Sequence, residues 1–278
     1  MISKPPFFSI ILLSSFALNM YTEQRDDDAW RKYAFEYVYK NNVWKNDAAV
    51  SSGPGSTLQT TKELQLLLPA VLKAIDTRTI LDAGCGDLTW LKEVSLDIEH
   101  YFGFDIVDHV IESHKRNHAS ENRTFICRDV THEDLPKVDV IFCRDCLAHL
   151  SFKDVKLALN NFKRSGTTYL LATSYFSAQN KNDIRSGNFH FVNLQAPPFN
   201  LPEPLMTFDE LSAEKDMASR RKRLCLWRLE DIPAYNDTPT KQQTLKTPST
   251  KTKLVDTADS TLEFVRKISE SIMKDMER

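Results

Sequence analysis

The stretch Thr79–Trp90, TILDAGCGDLTW, decides how this chain reads. Ile80 and Leu81 form a short apolar run that ends in an acid, Asp82. Ala83, Gly84, Cys85, Gly86 and a second acid follow. That order is how a buried parallel strand passes into a helix across a tight turn. Glycine lacks the β-carbon that would hold a ligand off the backbone, and the free amides of a following helix would face the crevice. The chain has only seven glycines and two of them fall here, so the spacing predicts a ligand-cradling turn rather than a plain one.

A second strand, YFGFDIV, carries Asp105, about twenty residues past the glycines, where an acid can accept two hydrogen bonds from a ribose diol. Nicotinamide dinucleotides and S-adenosyl-L-methionine are both bound by such a layout. The dinucleotide fingerprint needs a third glycine where this chain has Thr89. Asp82 would also repel a pyrophosphate and welcome an ammonium group. These residues resemble class I S-adenosylmethionine-dependent methyltransferases: ILDAGCGD is similar to their first motif and FGFDIV to their second. The resemblance implies a Rossmann-like α/β fold, a seven-stranded mostly parallel sheet with helices on both faces. It implies S-adenosyl-L-methionine as cofactor, with Asp82, Gly84, Cys85 and Gly86 in the turn that receives it and Asp105 and Ile106 at the ribose. After a third strand at Thr124–Cys127, it places Asp129 and Val130 on the adenine.

Upstream, 27–48 carries Trp30, Tyr33, Ala34, Tyr37 and Val38 at helical spacing, which predicts a helix with these residues on its apolar face. Thr60–Ile75 predicts a helix interrupted near Pro69. Between them lies Ser51–Ser56, SSGPGS. As a bare sequence it reads either as a linker or as a loop that folds over the cofactor through Ser52, Gly53 and Gly55. It resembles SGPGS loops ahead of the first motif in a subset of methyltransferases, to which the segment RDxxxHL at 144–150 also belongs.

The fourth strand, Val138–Phe142, runs into Arg144, Asp145 and His149. Ligands of open α/β sheets bind outside the carboxyl ends of the strands, so these three fall where a methyl group would be transferred. Asp145 is the expected proton acceptor, with His149 orienting it or acting in its place. Arg144 would hold Asp145 or neutralise an acidic acceptor. Ser151 and Asp154 predict a capped helix from about Phe152 to Lys163, and Tyr169–Tyr175 a fifth strand. Segment 188–204, stiffened by four prolines, would shape the acceptor site and supplies His190 as a fallback base. Leu205–Phe208 and Leu224–Leu229 predict the last two strands. The basic run at 220–223 reads as a solvated lead-in to the second of these.

A net charge of −2 leaves no footprint for nucleic acid. The five cysteines are irregularly spaced, and a lone C-x-x-C at Cys143 and Cys146 without a second pair predicts free thiols and no metal. The apolar run Phe7–Leu18 is too short for a comfortable membrane span. It reads within 1–21 as a signal peptide cleaved after Ala17, or as a signal anchor. Sequons at Asn122 and Asn236 agree with a secretory lumen; a cytoplasmic protein is the alternative. The catalytic domain is expected over 27–235, a disordered linker over 236–257 and an amphipathic helix over 258–278. The expected function is methyl transfer to a hydroxyl, with a glycan sugar favoured, or to an amine. A lipid or small metabolite is the second acceptor class. A catalytically idle S-adenosylmethionine-binding module is the alternative of a different kind.

Overall fold

The computed structural model describes residues 27–44, 50–210 and 221–236. The expected signal segment, nearly all of the expected linker and the expected C-terminal helix lie outside these residues. Helix α1 covers 27–40. α2 (Lys62–Ala74), β1 (Thr79–Ala83), β2 (His100–Asp105), α3 (Asp108–Asn117) and β3 (Arg123–Cys127) follow. The rest is β4 (Val140–Cys143), α4 (Phe152–Arg164), β5 (Tyr169–Tyr175), β6 (Met206–Asp209) and β7 (Lys222–Arg228).

The seven strands form one sheet in the order β3-β2-β1-β4-β5-β7-β6. β1 to β5 are parallel, and β7 runs antiparallel to both β5 and β6. A parallel sheet is covered on both faces, so its strands are apolar throughout. Alternate residues serve opposite cores. Leu81, Ile141 and Cys143 pack with Val155, Leu159 and Phe162 of α4. Ile80, Val140 and Phe142 pack with Leu64, Leu68 and Val71 of α2. Order reverses between β1 and β4, which opens a crevice where both strands end.

Four sequence expectations are corrected. The turn after β1 leads not into a long helix but into a single 3₁₀ turn, Leu91–Glu93. Asp87 Oδ1 accepts the Thr89 amide and Leu88 takes a positive φ of 55°, so side chain and backbone compete successfully with helix formation. α2 is continuous through Pro69; burial of Leu64, Leu68 and Val71 outweighs one missing amide. On α1 the buried face is Arg31, Ala34, Val38 and Tyr39, whereas Tyr33 and Tyr37 face solvent. Ala34 sits flush on Gly187, where an added β-carbon would lie 2.6 Å from its own. In the basic run, Lys222 is buried rather than solvated.

Ser151 caps α4 by accepting the Asp154 amide at 3.2 Å. The Asp154 carboxylate does not complete the capping box and turns instead to Arg31 and Ser186. All five cysteines are free. Among the described residues, no helix is long and apolar enough to cross a membrane.

Candidate active site

A cavity opens at the carboxyl ends of β1, β2 and β4. Asp82, Gly84, Cys85, Gly86, Asp105, Ile106, Asp129, Val130, Arg144, Asp145 and His149 all line it. The turn after β1 is pinned from below: the Gly84 and Cys85 amides donate to the Phe104 carbonyl at 2.8 and 3.0 Å. The Gly86 amide donates to Asp105 Oδ2 at 3.0 Å. From α3, His114 Nε2–H donates to the Gly86 carbonyl at 2.7 Å.

Gly84 and Gly86 have φ of 82° and 58°. A β-carbon on Gly86 would lie 2.5 Å from Ser52 Oγ, and one on Gly84 2.8 Å from Cys146 Sγ. The missing side chains therefore admit protein segments as well as any ligand. The 51–56 loop clasps the turn reciprocally. Ser52 N–H donates to Asp87 Oδ2 at 3.0 Å, the Asp87 amide donates to Ser52 Oγ at 2.8 Å, and the Tyr39 hydroxyl lies 2.8 Å from the same Oγ. Ser52 and Ser56 reach the cavity wall. Gly53 and Gly55 do not, contrary to expectation: Gly53 backs on Trp44, and Gly55 gives its carbonyl to Arg144 at 3.0 Å.

Asp105 also accepts the Val107 amide, on Oδ1 at 3.0 Å, and each oxygen keeps a lone pair for a hydroxyl. Burial raises its pKa, and the Gly86 and Val107 amides oppose that. Asp82 accepts from the Tyr101 hydroxyl at 2.7 Å. Burial, only partly offset by that bond, pushes its pKa up to about 7. Asp129 carries more structure than the sequence suggested. It accepts from Arg31 Nε–H at 2.8 Å and from the Thr131 amide and hydroxyl at 2.9 and 2.7 Å. Arg31 donates on to Asp154 at 2.7 Å and to Asp28. Asp28, Asp129 and His132 stand close enough together to take a cation, but Arg31 already bridges the two carboxylates.

At the end of β4, Asp145 adopts a positive φ of 56°. Its Oδ2 meets Lys222 Nζ at 2.5 Å and Arg144 Nη1 at 3.4 Å, and the Tyr175 hydroxyl donates to Oδ1 at 3.2 Å. Burial alone would raise its pKa, but Lys222 and then Arg144 hold it well below the usual carboxylate range. The carboxylate is committed to two cations, which speaks against Asp145 as the base. Arg144 binds Glu210 at 2.8 Å, and Lys222 reaches the same carboxylate at 3.0 Å. Neither Lys222 nor Glu210 was singled out from the sequence, since a charge run and a lone acid look like surface.

His149 is arranged differently. Its Nδ1 lies 2.9 Å from the Asn188 carbonyl. A carbonyl only accepts, so Nδ1 carries the proton and Nε2 the lone pair. Burial first, opposed by the Asn188 bond, sets its pKa below the ordinary histidine value. Its ring lies against Trp44 with centroids 4.3 Å apart and against Phe189 at 5.4 Å. His190 is no second base: Nε2 meets the Leu150 carbonyl at 2.9 Å, the ring stacks on Phe152, and it does not line the cavity.

The sheet order and the crevice define a Rossmann-like fold. Residues 80–166 match the family model described as a methyltransferase domain. Among solved structures, the N-methyltransferase NodS from Bradyrhizobium japonicum WM9 in complex with S-adenosyl-L-homocysteine is similar. It is 13% identical, with 69% of this chain and 97% of that one covered and a TM-score of 0.50. Magnesium protoporphyrin IX methyltransferase from Synechocystis PCC 6803 with bound S-adenosylmethionine is 14% identical, covering 73% and 96%, with a TM-score of 0.47. Comparison with the curated proteins finds no match. The domain match and the buried Asp82, the pinned glycine turn and the half-free Asp105 agree on S-adenosylmethionine as the cofactor.

Proposed function

We propose that the protein transfers a methyl group from S-adenosylmethionine to a hydroxyl of a small-molecule or glycan acceptor, with His149 as the base. The observation that carries this is His149 Nε2, a lone pair on a neutral ring that lines the cavity. The cofactor supplies an activated methyl group. Asp82 would take its ammonium, Asp105 its ribose hydroxyls and the Asp129–Val130 wall its adenine. What the chain adds is alignment, exclusion of water and removal of a proton. With that methyl group supplied to the acceptor's oxygen, His149 Nε2 would take the O–H proton that the oxygen gives up. A neutral amine could attack without a base, so a base this carefully presented favours a hydroxyl.

The test is mass spectrometry of cell extracts incubated with methyl-labelled cofactor and either the wild type or His149→Ala. Label should appear in an O-methylated product with the wild type and fall about 10²–10⁴-fold with the variant. Label found only on nitrogen, or unchanged in the variant, refutes the reading. Tight cofactor binding with no labelled product would favour an idle binding module.

A further inference from the structure

Taking the cavity as a methyl-transfer site, we infer that its acceptor end takes an uncharged, ring-bearing hydroxyl compound and rejects phosphorylated or carboxylated ones. The inference deepens the reading above and rests on it. Two independent observations carry it.

The first is the state of the cations. Lys222 is only 4% exposed and its Nζ is shared between Asp145 and Glu210. Arg144 places Nε–H and Nη2–H on Glu210 at 3.0 and 2.8 Å, another bond on the Gly55 carbonyl, and Nη1 beside Asp145. Two cations face two carboxylates, and the cluster is neutral. An anionic acceptor would have to draw a cation off its partner and leave a buried carboxylate uncompensated, which is strongly unfavourable. Arg31 on the wall is also engaged, holding Asp28, Asp129 and Asp154; Arg128, whose Nη1–H donates to the Asp134 carbonyl, stands next to Asp129, on the wall assigned to the adenine rather than to the acceptor. Arg144 therefore does not neutralise an acidic acceptor, as the sequence allowed.

The second is the surface around the base. Trp44 and Phe189 both lie against the His149 ring; Trp44 lines the cavity, and Phe189, 42% exposed, continues that surface just outside the lining. Tyr175 and Phe191 back Phe189, with centroids 6.3 and 5.2 Å away. Phe189 follows Asn188, whose carbonyl fixes His149, so the platform and the base are held in register by adjacent residues. A flat apolar face beside a proton acceptor suits a ring that stacks and points a hydroxyl inward. An aromatic ring and the apolar face of a sugar share that chemistry.

The test is saturation-transfer NMR on the full chain with S-adenosylhomocysteine present. The probes are catechol and methyl β-glucoside, each against its phosphorylated counterpart, 2-hydroxyphenyl phosphate and methyl β-glucoside 6-phosphate. At least one neutral ring should bind, and its phosphorylated partner about tenfold more weakly or not at all. Phe189→Ala should weaken the neutral ring about fivefold or more and leave S-adenosylhomocysteine affinity unchanged. Whichever of catechol or glucoside binds identifies the ring. Equal or tighter binding of the phosphorylated probes, no binding of either neutral ring, or an indifferent Phe189→Ala overturns the inference. Failure to bind S-adenosylhomocysteine would instead remove the methyl-transfer reading beneath it.

Discussion

Arg31 and Asp129 stand 98 positions apart in sequence, yet Arg31 Nε–H donates to Asp129 Oδ2 at 2.8 Å. The arginine comes from the first turns of α1 and is 1% exposed. The carboxylate it holds is on the cavity wall, so α1 is part of the site and not an appendage to it.

Arg31→Met should therefore cost about 3–5 kcal/mol in urea unfolding, because it strands Asp129 and Asp154 without their cation. Arg31→Lys should recover only part of that, since one ammonium cannot reproduce a planar fork across three carboxylates. S-adenosylhomocysteine affinity should fall in both, measured by calorimetry. A Met variant as stable as the wild type would show that the network contributes nothing net.

Cofactor binding should release a proton near neutral pH. Asp82 has a pKa of about 7 in the free protein. An ammonium docked against it favours the anion and lowers that value. Between the two values the free protein holds a proton that the complex does not, so affinity should weaken as pH falls below about 7. Calorimetry at pH 6.5 in buffers of different ionisation enthalpy reads the proton directly. Asp82→Asn should abolish the release.

The rate should rise with pH and level off below the usual histidine value, because burial lowers the His149 pKa. Asp145→Asn should keep that limb but shift it to lower pH, since the Asp145 anion raises the His149 value, whereas His149→Gln should remove it. A limb that disappears in Asp145→Asn and survives in His149→Gln would return the base to Asp145.

Stability carries a matching pH dependence. His149 and His114 both have lowered folded values. The unfolded chain binds more protons between those values and about 6.5. Their contribution is thus present above about pH 6.5 and lost as pH falls through the lowered values. The raised Asp82 value acts the other way over the same range, so the histidine contribution is read as a difference: from pH 7.5 to 5 the urea midpoint of the wild type should lose ground on that of a His114→Gln, His149→Gln double variant.

Much of the fold was legible because strands buried on both faces leave unbroken apolar runs, as at Val140–Cys143. The glycine turn was legible because few residues tolerate its backbone. The acceptor side was not, for a physical reason. Arg144, Asp145, Glu210 and Lys222 become one neutral cluster only when β4, β6 and β7 are brought together, and no local pattern encodes that. Tyr33 and Tyr37 misled because aromatic residues at helical spacing resemble a core stripe, while the side chain that α1 buries deepest is an arginine.

The docking of α1 sets the order in which this protein can be completed. Trp30 Nε1–H donates to the Ser186 carbonyl, 156 positions downstream, and Ala34 rests on Gly187. Chains emerge from the ribosome amino end first. The helix that walls the cavity is thus among the first described segments to be synthesised and among the last that can be seated. Until Asp129 and Asp154 have followed it out, its arginine holds only Asp28 of the same helix, and until the 186–187 loop follows, Trp30 and Ala34 have no seat. A nascent chain stopped before Ser186 would carry the glycine turn, the five parallel strands and both distant acids, yet the helix that walls its cofactor cavity would be held by its arginine alone, without the seats of Trp30 and Ala34.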